Sequence, residues 1–332
     1  MALALLTVLV AACGGSDDDE AATERPAAKA IKIALVTDVG QLNDRGFNQL
    51  AYEGLKRAEK EFGVEIRVAQ SRSAADYVPN HTTLARQGYD LVIGVGFAQG
   101  DAVAEAATKL RNGRFAIVDV DQTTLKGKPE NVVGLLFREE QAGYLAGVLA
   151  ARAVKPGGPA VVGSVGGYKE PPVDRFIAGY QAGAKWAQPQ VKTLNGYSSD
   201  WDDQAKCKEI ALSQIQRGAS VIFQVAGGCG LGALDAAEER NVWGIGVDAD
   251  QSFLGRHVLT SALKRVDEAV FRTIESVVDD EWRGGRNLVF GLEEDGVGLG
   301  KVSAQVPEAD RQAVEDAKQK ILAGEVEIPK TL

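Results

Sequence analysis

Short hydrophobic runs alternate with amphipathic stretches along most of this chain. The runs at 31–37, 64–69, 91–95 and 115–120 are rich in Val, Ile, Leu and Ala, and read as buried strands. Between them, apolar residues at three- and four-residue spacing predict helices over 47–62, 75–87 and 98–110. In the first helix Phe47, Leu50, Ala51, Leu55, Ala58 and Phe62 share one face. A strand at 132–137 leads into 139–153, a helix of Ala, Gly and Leu with little polar surface, expected in an interior. Pro156-Gly157-Gly158-Pro159 breaks the rhythm, which then restarts. Strands follow at 160–165, 191–196, 221–225 and 242–247, with helices at 173–186, 202–217 and 231–240. Two successive runs of parallel β-α-β units predict an α/β protein with two doubly wound parallel sheets.

The remaining elements are a strand at 258–262, a helix at 266–282, a strand at 288–290 and a helix at 308–323. They are too few for a third core. They are expected to complete the first sheet and then the second. Lobe one is thus 31–137 plus about 249–287, and lobe two 138–248 plus about 288–325. Several chain crossings between two lobes form a hinge around a cleft. A tandem dinucleotide-binding enzyme would show the same alternation.

The first strand-to-helix turn, Thr37 to Gln49, carries the densest polar chemistry. Such a turn opens into the ligand crevice of parallel α/β proteins. Asn43 or Asp44 supplies the N-cap oxygen for the helix that follows. The carboxylates of Asp38 and Asp44, the amides of Asn43 and Asn48, and Phe47 suit a flat ligand with hydrogen-bonding edges, and are candidate ligand contacts. A pyrophosphate instead wants bare glycine backbone without competing negative charge. Here Asp38 and Asp44 flank Gly40 and Gly46, no G-x-G-x-x-G occurs, and the glycines of 94–100 have the wrong spacing.

Composition narrows the function further. The 332 residues, 45% hydrophobic and 25% charged, are those of a globular protein, and a formal charge of −9 disfavours nucleic acid. His81 and His257 lie far apart in sequence and read as surface or supporting residues. Without a Cys/His cluster, neither metal nor triad chemistry has support, and no cofactor is expected. The apolar run 2–12 is too short to span a bilayer, and ends Val10-Ala11-Ala12-Cys13, similar to a bacterial lipobox. No Lys or Arg precedes it, a departure from that pattern. Residues 1–13 are then a lipoprotein signal segment ending at the lipidated Cys13, and 14–30 a flexible tether. Such a body is held on the extracytoplasmic face of the cell membrane, where disulfides are permitted. Cys207 and Cys229, one strand-helix unit apart, either bridge or remain two buried thiols.

The ordered motifs resemble a known family. They run Thr37-Asp38-x-Gly40, Asp44-x-x-Phe47-Asn48-Gln49, Phe115-Ala116-Ile117-Val118-Asp119, Tyr144-Leu145-Ala146-Gly147 and Pro172-Val173-x-Arg175-Phe176-x-x-Gly179-Tyr180. Then come Trp201-x-Asp203, Ala226-Gly227-Gly228-x-Gly230, Gly246-Val247-Asp248-x-Asp250-Gln251 and Thr260-Ser261-x-x-Lys264. From Ile31 to about Val302 the chain is similar to the basic membrane protein family, the PnrA-like nucleoside-binding lipoproteins. The resemblance implies a two-lobed periplasmic binding protein of the first structural type, delivering a nucleoside to an ABC permease, with a purine favoured.

A base needs an aromatic face, and Phe47 and Trp201 hold equivalent positions in the two lobes. Phe176 is the alternative partner, with core packing beside Tyr180 as its competing role. The family places an Asp and a Lys on the ribose hydroxyls, which Asp248 and Lys264 match. Asp38, Asn48 and Asp119 remain for other hydroxyls and the base edge, with Asp119 favoured over Asp121 by the family pattern. Gly228 is expected close to the ligand. Gln41, Gly46 and Cys229 depart from the family pattern, and the last supports the disulfide. Acidic groups around the cleft imply nucleosides rather than nucleotides. A monomer suits this role. Competing expectations are a binding lipoprotein for a sugar or other small polar metabolite, a sensor component, and a nucleoside hydrolase-like enzyme using paired carboxylates.

Overall fold

Strands that can bury both faces need helices on both sides, and this chain supplies one after nearly every strand. A computed structural model describes residues 30–154 and 159–332. Cys13, its signal segment, the tether up to residue 29 and residues 155–158 of the Pro-Gly break lie outside the described residues. In chain order the elements are β1 (Lys32–Val36), α1 (Phe47–Phe62), β2 (Glu65–Ala69), α2 (Tyr77–Arg86), β3 (Leu91–Gly94), α3 (Gly100–Lys109), β4 (Phe115–Val118) and β5 (Val132–Phe137). There follow α4 (Glu139–Arg152), β6 (Val161–Gly166), α5 (Pro171–Ala187), β7 (Lys192–Tyr197), α6 (Gln204–Gln216), β8 (Val221–Val225), α7 (Gly230–Glu239) and β9 (Trp243–Asp248). The last are β10 (Val258–Lys264), α8 (Val266–Val278), β11 (Arg286–Phe290), β12 (Val297–Leu299) and α9 (Glu308–Leu322).

Two six-stranded sheets form, ordered β2-β1-β3-β4-β5-β11 and β7-β6-β8-β9-β10-β12. Every pairing is parallel except that of β12 with β10. Central strands β3, β4, β6 and β8 are buried throughout, whereas the edge strands β2 and β7 are partly exposed. The expected α/β architecture, two lobes each built on a doubly wound sheet, is therefore present.

The allocation of the last elements needs correction. The strand near 258 extends the second sheet by pairing with β9, and the strand near 288 completes the first by pairing with β5. Helix α8 packs on α1 of the first lobe, where Gly54 meets the Asp267 backbone so closely that a Cβ would overlap it. Residues 258–264 thus belong to lobe two and 288–290 to lobe one, the reverse of the sequence expectation. The chain crosses between lobes three times, after Phe137, Lys264 and Phe290.

The apolar helix α4 owes its composition to α5. Gly143 and Gly147 face the carbonyls of Phe176 and Tyr180, while Gly179 and Gly183 face those of Glu140 and Tyr144. No side chain fits between these backbones, so the two helices lock together and fix the start of α4. In the same lobe a disulfide joins Cys207 on α6 to Cys229 just before α7, with Cα atoms 5.6 Å apart.

Candidate functional site

Strand ends place the polar residues. Asp38 lies two residues beyond β1, Gly96 two beyond β3, and Asp119 directly after β4. From the second sheet come Gly227 and Gly228 beyond β8, and Asp248 and Lys264 at the last positions of β9 and β10. In each sheet the chain winds both ways from β1 or β6, and ligand crevices open at such switch points. A pocket lies there, its open mouth included in a space of ≈ 650 Å³. The lobes also touch through Gln251 Nε2, which donates to the Arg45 carbonyl at 3.1 Å.

Of the expected ligand residues, Asp38, Asp44, Phe47, Asn48, Asp119, Phe176, Trp201, Gly228, Asp248 and Lys264 all line this pocket. Asn43 does not line it, and its side chain is exposed. Its neighbour explains why. Asp44 Oδ2 accepts the Asn48 amide at 2.9 Å, and Oδ1 accepts those of Gly46 and Gln49 at 2.9 and 3.2 Å. Asp44 therefore caps α1, and Asn43 is left facing solvent. Burial raises the Asp44 pKa in spite of these hydrogen bonds.

Asp38 is held from three sides. Its amide donates to Asn48 Oδ1 at 3.1 Å, while its Oδ1 accepts the Tyr77 hydroxyl at 2.5 Å and the Val39 amide at 2.7 Å. Burial raises this carboxyl too, with the two Oδ1 hydrogen bonds opposing.

Lys264 is the centre of charge in the pocket. Only 2% exposed, its Nζ lies 2.6 Å and 2.8 Å from the Asp119 oxygens and 3.0 Å from Glu139 Oε1. Burial favours the neutral amine, but Asp119, Glu139 and Asp248 outweigh it and hold the ammonium above the usual lysine range. Burial likewise lifts Asp248 to about 7, with Lys264 opposing and Asp44, Asp119 and Glu139 adding to the rise. Asp119 is lifted to about 6 by burial, against the pull of Lys264. Asp121 turns elsewhere, accepting from Thr123 and Asn287.

Aromatic groups line both lobes. The Phe47 ring centre lies 5.1 Å from Lys264 Nζ. Trp201 packs beside Tyr168, with ring centres 5.4 Å apart, and over Gly167, where a Cβ would collide with the indole. Phe176 combines core packing with a place on the pocket wall. It is buried edge-on against Phe223 at 6.1 Å and still reaches the pocket wall. Gly228 has room for little more, since a Cβ would sit 3.3 Å from the Trp201 carbonyl.

Sequence reasoning passed over Glu139, Glu170, Phe97 and Asp202. Glu170 lines the pocket at the start of α5, and burial, then Asp38 and Asp119, raise it to about 7. Its signal was the Gly166-Gly167 strand end followed by Pro171-Pro172, a strand-turn-helix unit like that at Asp38. Phe97 and Asp202 also line the pocket, and Asp202 directly follows the expected Trp201. His81 is not on the surface, the first of the two roles expected of it. It is fully buried, with Nε2 2.8 Å from Gln99 Oε1, and burial lowers its pKa to about 4. Among the described residues, no group of three or more His, Cys, Asp and Glu side chains is arranged to hold a metal ion. Nor does any described helix have the length and apolarity to cross a membrane.

Comparison with known proteins agrees with this geometry. Residues 31–331 match the Bmp family model, described as ABC transporter substrate-binding protein PnrA-like. A Lactococcus lactis protein named ABC transporter nucleoside-binding protein BmpA is 35% identical over 350 residues, covering 99% of this chain and 97% of its own. An uncharacterized lipoprotein of Pyrococcus abyssi is 34% identical over 350 residues, covering 97% of this chain and 84% of its own. A crystal structure of ABC transporter solute-binding proteins from Aeropyrum pernix superposes with a TM-score of 0.83 at 28% identity, covering 90% of this chain and 93% of that one. Two winding lobes, a pocket at their switch points and a family match along the whole described body lead to one statement: the chain belongs to the PnrA-like family of ABC transporter substrate-binding proteins.

Proposed function

We propose that this protein captures a nucleoside, with a purine favoured, and delivers it unchanged to an ABC permease. In this reading it is a monomer held on the extracytoplasmic face of the cell membrane by a lipid on Cys13. The observation that carries the reading is the pairing of aromatic walls from both lobes with a buried Lys264 flanked by Asp119 and Asp248. Phe47 and Trp201 offer faces to a base, and each stacked base contributes ~1–3 kcal/mol. Asp248 accepts from a ribose hydroxyl and Lys264 donates to another, charge-assisted bonds of ~1.5–3 kcal/mol each. Asp38, Asn48 and Glu170 are left for the base edge. The name of the Lactococcus relative is in keeping with this assignment.

The same pocket disfavours phosphates. Asp38, Asp44, Asp119, Glu170, Asp202 and Asp248 line it, and Lys264 is the one cation among its described lining residues. A 5′-phosphate would enter an acidic enclosure with no Arg to meet it.

Calorimetric titration of ligand-stripped protein with guanosine, inosine, adenosine, uridine, cytidine, guanosine 5′-monophosphate and ribose tests the proposal. Saturable nucleoside binding, lost in Phe47→Ala and in Asp248→Ala, is the expected result. Binding of ribose or another sugar with no response to any nucleoside would replace the ligand class. Release of free base during incubation would replace the binding role with an enzymatic one.

A further inference from the structure

Glu139 is fully buried, yet it does not line the pocket. It stands at the first position of α4, directly after the chain's first crossing between lobes. Lys264 stands at the last position of β10, directly before the second crossing. Their side chains meet, with Lys264 Nζ 3.0 Å from Glu139 Oε1. The other carboxylate oxygen of Glu139 accepts from Arg175 Nη1 on α5 at 3.3 Å. Beyond Lys264 the series ends at Asp119 on lobe one. Four alternating charges, Asp119, Lys264, Glu139 and Arg175, thus run from lobe one through two hinge segments into lobe two.

Each crossing is also pinned by its backbone. The Arg138 amide donates to the Phe290 carbonyl at 3.0 Å, and the Arg265 amide to that of Gly296 at 2.8 Å. The glycine contacts between α4 and α5 fix the helix that carries Glu139. Lys264, in contrast, is a point charge on a flexible four-carbon stem, and nothing in its own covalent geometry aims it. Phe47 and Phe137, with ring centres 5.1 Å and 5.0 Å from Nζ, confine the ammonium without choosing among its acidic neighbours.

We infer that Glu139 is a positioning residue for ligand binding: it aims Lys264 at the ligand and ties that contact to the hinge. The inference rests on the proposed contact between Lys264 and a ribose hydroxyl. Without Glu139 the ammonium collapses onto Asp119 and Asp248, and the hydroxyl loses its donor while the base keeps its aromatic faces.

The test uses the full-length chain, a nucleoside that it binds, and the 2′,3′-dideoxy analogue of that nucleoside. Wild-type protein is expected to prefer the nucleoside by about a hundredfold or more, about tenfold for each of the two charge-assisted hydrogen bonds assigned to Asp248 and Lys264. Glu139→Gln, nearly isosteric, is expected to remove the Lys264 share of that preference, about tenfold, and leave the Asp248 share, while holding the analogue's affinity within about threefold. Adding Lys264→Met to Glu139→Gln is then expected to change the preference little, because the two residues act as one unit. A Glu139→Gln protein that keeps the wild-type preference overturns the inference. So does one that loses both ligands equally with a lowered melting temperature, which is the signature of a purely structural ion pair. If Glu139→Gln fails to fold, Glu139→Asp keeps the charge, shortens its reach and reads the same ratio. Wild-type protein that binds both ligands equally overturns the ribose assignment itself, and the inference with it.

Discussion

A Cβ on Gly96 would overlap the carboxylate of Asp38, which the Tyr77 hydroxyl and the Val39 amide hold in place. Gly96 also has φ 112 and ψ 149, a region essentially confined to glycine. Gly96→Ala therefore carries two penalties, backbone strain of ~1–3 kcal/mol and a displaced Asp38. Ligand affinity should fall at least as far as in Asp38→Asn, and the melting temperature should fall with it. Unchanged affinity in both variants would remove Asp38 from the list of ligand contacts.

Asp44 separates capping from contact. Its two oxygens accept three backbone amides at the start of α1, which leaves it little acceptor capacity for a ligand. Asp44→Ala should cost ~1–2 kcal/mol in thermal or denaturant unfolding, the usual worth of such a cap. Asp44→Asn keeps one acceptor and should recover part of that stability. Affinity measured well below the melting temperature should change less than in Asp248→Ala. A larger affinity loss in Asp44→Asn than in Asp248→Asn would show that Asp44 meets the ligand directly.

These two residues also show what could be read in advance. The turn containing Asp38 and Asp44 stood out because a run of β-branched residues stops at a polar cluster, which then starts an amphipathic helix. Strand and helix alternation was legible for the same reason, since strands buried on both faces read as unbroken apolar runs. The partner of each late strand was not legible. Residues 258–264 and 286–290 have similar apolar character, and parallel pairing leaves no mark in the local sequence. What decides the matter is long-range, including the backbone contact of Gly54 with α8. Glu139 and Glu170 escaped notice because acids near a helix start look like ordinary partners of the helix dipole. Only the crossings between lobes bring Glu139 onto Lys264.

The disulfide joins two pieces of pocket wall as well as two helices. Cys229 follows Gly228, its amide donates to the Trp201 carbonyl at 2.8 Å, and Cys207 lies in the helix that begins just past Trp201. With the cysteines 22 positions apart in sequence, replacing both by Ala should cost about 3 kcal/mol of stability through loop-closure entropy. Because Gly228 and Trp201 both line the pocket, the same variant should release ligand faster at a temperature where it remains folded. Stopped-flow tryptophan fluorescence reads that rate. A stability loss without a change in release would confine the bridge to the fold.

Stability and affinity should respond to pH in opposite directions. Burial, against the pull of Lys264, lifts Asp248 to about 7, Glu170 to about 7 and Asp119 to about 6, all above their unfolded values. The folded protein therefore holds protons that the unfolded chain releases. This contribution is fully present below the ordinary carboxylate range near pH ~4, and is lost as pH rises through about 6 to 7. Ligand-free protein should melt at higher temperature as pH falls from ~8 to ~5. Carboxyls with lowered values, such as Asp200 beside Lys206, lose their charge only in stronger acid and do not reverse the trend in that window. Binding runs the other way. A hydroxyl donor needs ionised Asp248, so affinity should fall as pH drops below about 7, approaching tenfold per pH unit for that one group. Lys264 stays charged throughout, because its acidic neighbours hold it above the usual lysine range. Calorimetry in two buffers of different ionisation enthalpy should detect a proton released on binding near pH 7, and Asp248→Asn should abolish much of that release. If affinity instead rises on acidification, a protonated carboxyl is the donor to the ligand, and Glu170 becomes the residue to replace first.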